Sequence, residues 1–473
     1  MLFLFSPMAA APPLLKTVAV HRKFLPAPLR PHKEALYICC SQYGVDHFFD
    51  LFVQETRGRI AKYVEYRRSE PSLDFLLSRI PVERAPEAEA DLPAVAVDGG
   101  IGVVELDNGH KILLARAAAV GRGMLKREFL ADVLAVDSSA VSWAYLIMAE
   151  ALAAAAAVEE GGFDYLLMDG SLYAKAIMLA HNLILTREFQ SIFYVPEMIA
   201  ALYALAHLLE RAEEAGIKAV FVSKDSRFKV LKEYAAFEAL RGRLDDYIVE
   251  RGLRWYSVMW LRRFRKAIFS AYQKLRGDRE AQAALDALFR QSVADPVVLW
   301  RMEARSYTTP MLLGACDAYM NYKGLTSVSR LLDAVADRVE DALAFRGERT
   351  GSASEYLEKA RKALSTLPKI LMFYLKPAQG SEPLLVETPL PNSRMFDGAP
   401  VKAFYPQASV DDVVSLLLAQ YRDEAHYNYW LWYAHEVASF KSGQLAEYAV
   451  YIKQMLRGAG VSTARRVKMA MGL

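Results

Sequence analysis

Cysteine is scarce in this chain, which has only three among its 473 residues. Cys39 and Cys40 are adjacent and Cys316 lies far from both, so their spacing offers neither a disulfide framework nor a zinc-binding motif. This scarcity argues against a small domain held together by disulfides. We therefore expect a reducing compartment and a cytoplasmic location.

Net charge is also small, at +3 from 58 basic and 55 acidic residues. A balance this even does not by itself indicate a nucleic-acid partner, so electrostatic recognition must come from local clusters. Hydrophobic residues make up 53% of the chain and charged residues 24%. This composition is typical of a globular protein with ample material for a core and argues against disorder.

The sequence lacks a good membrane span, and we expect no membrane partner. The longest apolar stretch, Trp143 to Val158, carries Glu150 near its middle and is too short and too charged there to cross a bilayer. The apolar start, residues 1–16, has no basic segment and is interrupted by prolines, so we interpret it as a structured or frayed terminus.

Asparagine is rare, with five residues, which suits a heat-exposed protein or reflects a GC-rich genome.

Apolar runs and turn signals predict an α/β fold. Strands are predicted at residues 92–98, 101–106, 111–120, 163–169, 218–224, 370–375 and 384–388. An Ala-rich helix, running to about Glu160, separates the third of these strands from the fourth. By composition we expect a mostly helical N-terminal region over 1–90, a core beginning at 91–225, a helical insertion over 226–365, and a return to the core with C-terminal helices over 366–473.

Two aspartates end predicted strands where the chain changes to glycine. Asp98 precedes Gly99 and Gly100, and Asp169 precedes Gly170. A rigid strand would hold each carboxylate at a point that a ligand can approach closely. A single Asp-Gly at a strand end is usually a turn. Two of them on adjacent strands would form an oxygen-rich site suited to Mg²⁺ or Mn²⁺.

Glu150 is a third candidate, because it interrupts an otherwise apolar helix. A carboxylate buried there must be paired, neutralised or bound to metal. The alternative is that Glu150 lies on the one solvated stripe of that helix. Spacing alone leaves the two interpretations open.

Taken in order, several short motifs resemble those of the NurA family of archaeal and bacterial nucleases. The motifs are Asp98-Gly-Gly, the buried helix with Glu150, Met168-Asp-Gly-Ser-Leu172, Val222-Ser-Lys224, Phe373-Tyr-Leu-Lys-Pro377 with Leu385-Val-Glu-Thr-Pro389, and Tyr427-Asn-Tyr-Trp-Leu-Trp-Tyr-Ala-His435-Glu436. The similarity extends from about residue 91 to 440. The stretch 226–365 matches no motif of the family.

The resemblance implies an RNase H-like mixed-sheet core with a large helical insertion and helical terminal regions. It also implies a Mn²⁺-dependent 5′-to-3′ exonuclease with endonuclease activity on single strands, in which Mg²⁺ is the alternative metal. The expected partners are DNA, a second copy of the chain, and the hexameric HerA ATPase that acts in resection of double-strand breaks. By position, Asp98, Glu150 and Asp169 would be metal ligands, and His435 a further ligand or an acid/base.

Two of these residues have ordinary explanations as well. His435 could protonate a leaving oxygen, but a helix histidine is also commonly hydrogen-bonded in a packing interface. Lys224, just past a strand end, could hold a phosphate, although alone it would be an ordinary exposed lysine.

A basic segment, Arg251 to Arg276, contains interleaved aromatic residues and no acid. This combination suits a channel for single-stranded DNA, since basic groups neutralise phosphates and aromatic rings stack on bases. The candidate contacts are Arg254, Trp255, Trp260, Arg262, Arg263, Arg265 and Lys266. An amphipathic packing helix and a partner-docking surface are the alternatives.

Two other functions fit parts of the pattern. An actin-like nucleotide phosphotransferase also uses acidic-glycine strand ends, but it normally needs Gly-rich phosphate loops in both halves, and only Gly170 follows Asp169. A non-catalytic subunit that docks an ATPase would keep the fold without needing the acids.

Overall fold

A computed structural model of the chain describes residues 48–69, 73–88, 92–106, 109–134, 139–185, 192–243, 270, 273–289, 293–317, 320, 323–347, 353–460 and 469–471. The chain divides into two compact units, residues 1–71 and 72–473. In the described part of the first unit, helix α1 (Phe49–Ser69) exposes several large apolar side chains, including Phe52 and Ile60. The second unit contains the sheet and all other described elements.

The second unit is built on a mixed sheet that has 12 strands in the described residues. The strands are β1 Val82–Arg84, β2 Ala94–Glu105, β3 Lys111–Gly121, β4 Met124–Leu134, β5 Tyr165–Asp169, β6 Lys218–Ser223, β7 Ser306–Thr308, β8 Met311–Leu313, β9 Ile370–Lys376, β10 Leu384–Pro389, β11 Lys402–Phe404 and β12 Met469–Met471. Their order is β1-β7-β9-β10-β6-β5-β2-β3-β4, with β8 also on β9, β11 on β8 and β12 on β2.

Helices connect these strands and cover both faces of the sheet. They are α2 Asp74–Leu77, α3 Ser139–Glu160, α4 Leu172–Leu185, α5 Val195–Glu214, α6 Val230–Leu240, α7 Arg279–Phe289, α8 Asp295–Leu299, α9 Val328–Arg346, α10 Ala353–Thr366, α11 Asp411–Gln420, α12 Tyr429–Ala438 and α13 Ser442–Gly458. The chain runs from β2 through the antiparallel strands β3 and β4, and then through α3 to β5, which is parallel to β2. Strand β6 is parallel to β5, as helical crossovers require.

Side chains alternate between two cores along the central strands. Val95 and Val97 face the core that includes α3 and α5, while Ala94 and Ala96 face the core formed with α11 and α12. Because both faces are covered, β5 is buried along nearly its whole length. Its apolar residues therefore form a continuous run instead of an alternating pattern.

The sequence-based prediction of two strands at 92–98 and 101–106 was wrong. Strand β2 continues unbroken through Gly99 and Gly100, both of which pair with β3. The glycines are required by close approach of helices. A Cβ on Gly99 would lie 2.5 Å from Cδ1 of Leu146 in α3, and one on Gly100 would lie 2.6 Å from the carbonyl oxygen of Ala438 in α12.

Two further features differ from the expected pattern. Strand β4 was not anticipated, because its residues alternate between half-buried and exposed and include several charges. The stretch expected to be almost entirely helical, 226–365, also contains the short strands β7 and β8.

Helix α3 is long and apolar enough to cross a membrane by length and composition, and it is the one such helix among the residues searched. In the structure it is a core helix that packs on β2, β3, β4 and α5. Most of its apolar residues are buried there, so the sheet and α5 provide the apolar environment.

Candidate active site

Asp98 and Asp169 lie side by side where the parallel pairing of β2 and β5 ends. The last paired residues are Val97 and Met168, and each aspartate follows immediately on its own strand. Asp98 therefore lies within β2, not at its end as the sequence predicted. It is buried at 6% exposure, and the backbone N–H of Gly99 donates to its Oδ1 at 2.7 Å.

Glu150 reaches the same place from α3, on the opposite face of the sheet. The residue is buried, at 4% exposure, and its Oε1 lies 3.1 Å from the position that a Cβ on Gly99 would take. Glu159 and Glu160 are exposed near the end of the same helix. Of the three glutamates on α3, only Glu150 therefore lies close to Asp98 and Asp169.

Lys175, in the first turns of α4, is a site residue that the sequence analysis missed. Its Nζ donates to Oε2 of Glu150 at 2.5 Å and to the carbonyl oxygen of Asp169 at 2.7 Å. Helix α4 is anchored by the buried Glu387 of β10, which accepts hydrogen bonds from the hydroxyl of Ser171 at 3.1 Å and from the N–H of Tyr173 at 3.2 Å. The position of Lys175 is thus set by two strands as well as by its helix.

His435 approaches Asp98 from α12. Its Nδ1 lies 2.7 Å from Oδ2 of Asp98, and its Nε2 lies 3.0 Å from the hydroxyl of Ser439. The histidine side chain is 55% exposed and that of Asp98 is 8% exposed. His435 therefore forms the solvent side of the site, and the carboxylates form its interior.

Both ends of α12 are fixed by polar contacts. At its start, the fully buried Asn428 accepts a hydrogen bond from the N–H of Leu431 at 3.0 Å, as an N-cap does. At its end, the guanidinium of Arg116 on β3 donates to the carbonyl oxygen of Ala438 at 2.6 Å and to that of Ser439. These contacts fix α12, and with it His435, against the sheet.

Tyr427 is a second residue that the sequence analysis did not assign to the site. Its buried hydroxyl donates to Oδ1 of Asp169, and its ring lies 5.3 Å from Nζ of Lys224. Lys224 itself is exposed beyond the end of β6. The signal for Tyr427 in the sequence is its position eight residues before the candidate His435. Several other aromatic residues lie in the same stretch, so this position did not distinguish Tyr427 from them.

The basic and aromatic candidates for DNA contact lie outside the described residues. They are Arg254, Trp255, Trp260, Arg262, Arg263, Arg265 and Lys266. Their assignment stays a prediction.

A family model for the NurA domain matches residues 93–440, about three quarters of the chain. The chain belongs to the NurA family. No curated protein matches it in sequence. Similar solved structures include that of the NurA nuclease from Sulfolobus solfataricus, with 14% identity and a TM-score of 0.46, covering 88% of this chain and 98% of the other. A structure of NurA with dAMP and manganese has 16% identity, a TM-score of 0.35, and coverage of 86% and 97%.

The NurA match covers all four acid and histidine candidates, whose charges influence one another. Burial raises the pKa of Glu150 from 4.5 to about 7, with Asp98 adding to the rise and Lys175 opposing it. Burial, together with the charge of Asp98, also raises the pKa of Asp169. The hydrogen bond to Asp98 raises the pKa of His435. The charge of Asp98 thus makes both Glu150 and Asp169 harder to ionise.

The NurA site fits a hard divalent cation by the chemistry of its donors. Among the described residues no group of three or more His, Cys, Asp or Glu side chains is spaced to hold a metal ion. The carboxylates are instead bound by Lys175, Tyr427 and His435. A divalent cation would remove the repulsion between the acids, and carboxylate oxygens are the ligands that Mn²⁺ and Mg²⁺ prefer.

Proposed function

We propose that this protein is a divalent-metal-dependent nuclease whose active site contains Asp98, Glu150, Asp169 and His435. The observation that carries the proposal is the convergence of three carboxylates from β2, α3 and β5 beneath one exposed histidine. Family membership supports the same function. A nucleotide phosphotransferase would need phosphate-binding loops in addition to the acids, and three converging carboxylates do not by themselves bind phosphate.

Asp98, Glu150 and Asp169 would hold the metal, with Mn²⁺ as the proposed ion and Mg²⁺ as the alternative. Such an ion activates water and stabilises the charge that develops on the phosphate during phosphodiester hydrolysis. The role of the protein is to hold the carboxylates in place. Tyr427 contributes by holding Oδ1 of Asp169, and the N–H of Gly99 contributes by holding Oδ1 of Asp98.

We assign His435 the role of acid toward the leaving oxygen. Its Nδ1 is engaged by Asp98 at 2.7 Å, which fixes the ring and favours the protonated imidazole. Its Nε2 faces the solvent side, where the hydroxyl of Ser439 lies 3.0 Å away. A proton at Nε2 is therefore available to a phosphodiester that approaches from solvent.

Lys224 would bind a substrate phosphate at the rim of the site, next to Tyr427. The segment that includes Arg262 and Arg263 would provide further phosphate contacts. Reversing both charges should weaken DNA binding and flatten its dependence on salt, because fewer counterions are then released. Unchanged binding in a filter or anisotropy assay would remove this segment from the DNA-binding surface.

The finer assignments are also proposals. The central strand order β4-β3-β2-β5-β6, with the first three strands antiparallel and the next two parallel to β2, supports an RNase H-like core. Family membership supports 5′-to-3′ exonuclease activity, single-strand endonuclease activity, a homodimer, and joint action with a HerA-type hexameric ATPase in the cytoplasm during DNA end resection.

Cleavage of end-labelled DNA in Mn²⁺ tests the proposal. Wild-type protein should degrade a linear duplex and cut circular single-stranded DNA, and Asp98→Ala and Asp169→Ala should each abolish both reactions. Early release of label from the 5′ end, but not from the 3′ end, would indicate 5′-to-3′ polarity. Asp164→Ala is a matched control, since this exposed aspartate lies just before the start of the same strand, β5.

The outcomes separate the alternatives. Cleavage that persists in either aspartate variant would remove that residue from the site. ATP hydrolysis without DNA cleavage would favour the phosphotransferase. No cleavage by the wild type, together with binding to a HerA-type ATPase, would favour a docking subunit.

A further inference from the structure

Lys175 occupies one oxygen of the glutamate that we assign as a metal ligand. Its Nζ lies 2.5 Å from Oε2 of Glu150, and the two side chains are only 11% and 5% exposed. The other oxygen, Oε1, lies against β2 at Gly99. Lys175 therefore occupies the one oxygen of Glu150 that does not lie against Gly99.

The backbone of Lys175 is fixed, but its ammonium group has a second acceptor besides Glu150. Glu387 anchors the start of α4, so the backbone at Lys175 cannot move far. The carbonyl oxygen of Asp169 lies 2.7 Å from the same Nζ. The lysine stem crosses Gly170, whose φ is +85° and where a Cβ would lie 3.4 Å from Cε of the lysine. Release of Glu150 thus requires only rotation of the lysine side chain.

We propose that Lys175 is an internal counter-cation, which compensates Glu150 in the metal-free site and competes with the divalent cation for that carboxylate. The inference rests on the proposed function, since it takes Glu150 as a metal ligand. A buried carboxylate that loses its only cation is strongly destabilised. Lys175 therefore stabilises the empty site and weakens metal binding at the same time.

Metal affinity and metal-free stability of Lys175→Met test the inference without any activity measurement. Mn²⁺ affinity is measured from the electron paramagnetic resonance of the free ion, and Tm is measured in EDTA. The Mn²⁺ Kd should fall by about tenfold, because a hydrogen bond to a charged group is worth roughly that factor or more. The Tm in EDTA should fall, and the rise in Tm on adding Mn²⁺ should exceed that of the wild type. Lys175→Arg keeps the charge and should stay near wild type.

Lys402→Met is the matched control. Lys402 pairs with Glu233 at 3.3 Å, and these side chains are 16% and 12% exposed, so the pair is similarly buried but lies on β11 and α6. This variant should lower Tm and leave the Mn²⁺ Kd unchanged. If Lys175→Met does not fold, Lys175→Gln tests the same point, since it keeps a donor for the carbonyl oxygen of Asp169 but carries no charge.

A Lys175→Met or Lys175→Gln variant with unchanged or weaker Mn²⁺ affinity overturns the inference and leaves the nuclease proposal intact. A wild-type protein that binds no Mn²⁺ overturns the metal-dependent mechanism and the inference with it. Tighter Mn²⁺ binding in the neutral variants, without a change in Lys402→Met, supports the counter-cation.

Discussion

Replacing Glu150 with glutamine should abolish metal binding and yet stabilise the metal-free protein above neutral pH. The substitution keeps the size of the side chain and an oxygen for Nζ of Lys175, but it removes the negative charge. That charge is buried at 4% exposure, next to Asp98 and Asp169. The folded protein therefore loses an unfavourable charge, whereas the unfolded chain loses a well-solvated one.

The pKa of Glu150 gives the size of the effect. Burial raises this pKa from 4.5 to about 7, so the folded state holds the proton more tightly than the unfolded state. Protonation of Glu150 therefore contributes stability to the folded state. This contribution is fully present below pH 4.5 and is lost as the pH rises to about 7. Above that window the ionised carboxylate costs about 3 kcal/mol relative to a neutral side chain, at about 1.4 kcal/mol per pKa unit.

Urea denaturation in EDTA at pH 5 and pH 8 measures this cost. Glu150→Gln should be more stable than wild type by about 1 kcal/mol at pH 5 and by about 3 kcal/mol at pH 8. Glu387 has a pKa raised by burial to about 7 as well, but its contribution is common to both proteins and cancels. A difference that is independent of pH, or a glutamine variant that is less stable at pH 8, would refute the reasoning.

Two other substitutions test the support of the site. Tyr427→Phe removes the donor to Oδ1 of Asp169. It should lower the DNA cleavage rate about tenfold or more, since hydrogen bonds to charged groups are worth roughly this factor. A wild-type cleavage rate across a Mn²⁺ titration would contradict this expectation. Gly100→Ala places a Cβ 2.6 Å from the carbonyl oxygen of Ala438 and should cost about 1–3 kcal/mol in a denaturation assay. Gly443→Ala, in helix α13, places a Cβ that meets nothing within 4 Å and should not destabilise the protein.

The central part of the fold and its acids follow from local patterns in the sequence. The apolar run before Asp169 predicts a buried strand, and the helix before it makes that strand parallel to β2. The sequence predicts Asp98 and Asp169 together as the ends of adjacent strands. Asp98 instead lies within β2, and the two acids are neighbours because the pairing of β2 with β5 ends just before them. Glu150 is a candidate because a buried charge in an apolar helix needs a partner, but spacing alone leaves open whether it lies on a solvated stripe.

The remaining site residues could not be predicted, because their contacts depend on packing across long stretches of sequence. Tyr427 and Asp169 are 258 positions apart, and the contact depends on how α12 is seated on the sheet. Lys175 follows Asp169 closely, but no periodicity indicates that its side chain folds back over Gly170. The continuation of β2 was missed for a related reason, since a glycine pair is a turn signal until neighbouring helices are known.

That glycine pair explains why the site lies where it does. Asp98 and Asp169 face α12, whereas Glu150 comes from α3 on the opposite face, so Glu150 can meet them only through an opening in the sheet. The opening exists because the pairing of β2 with β5 ends at Val97 and Met168. It is wide enough because Gly99 has no side chain to fill it. The carboxylates therefore converge where the pairing of β2 with β5 ends. The absence of a side chain at Gly99 and Gly100 allows the two helices to approach at the same point.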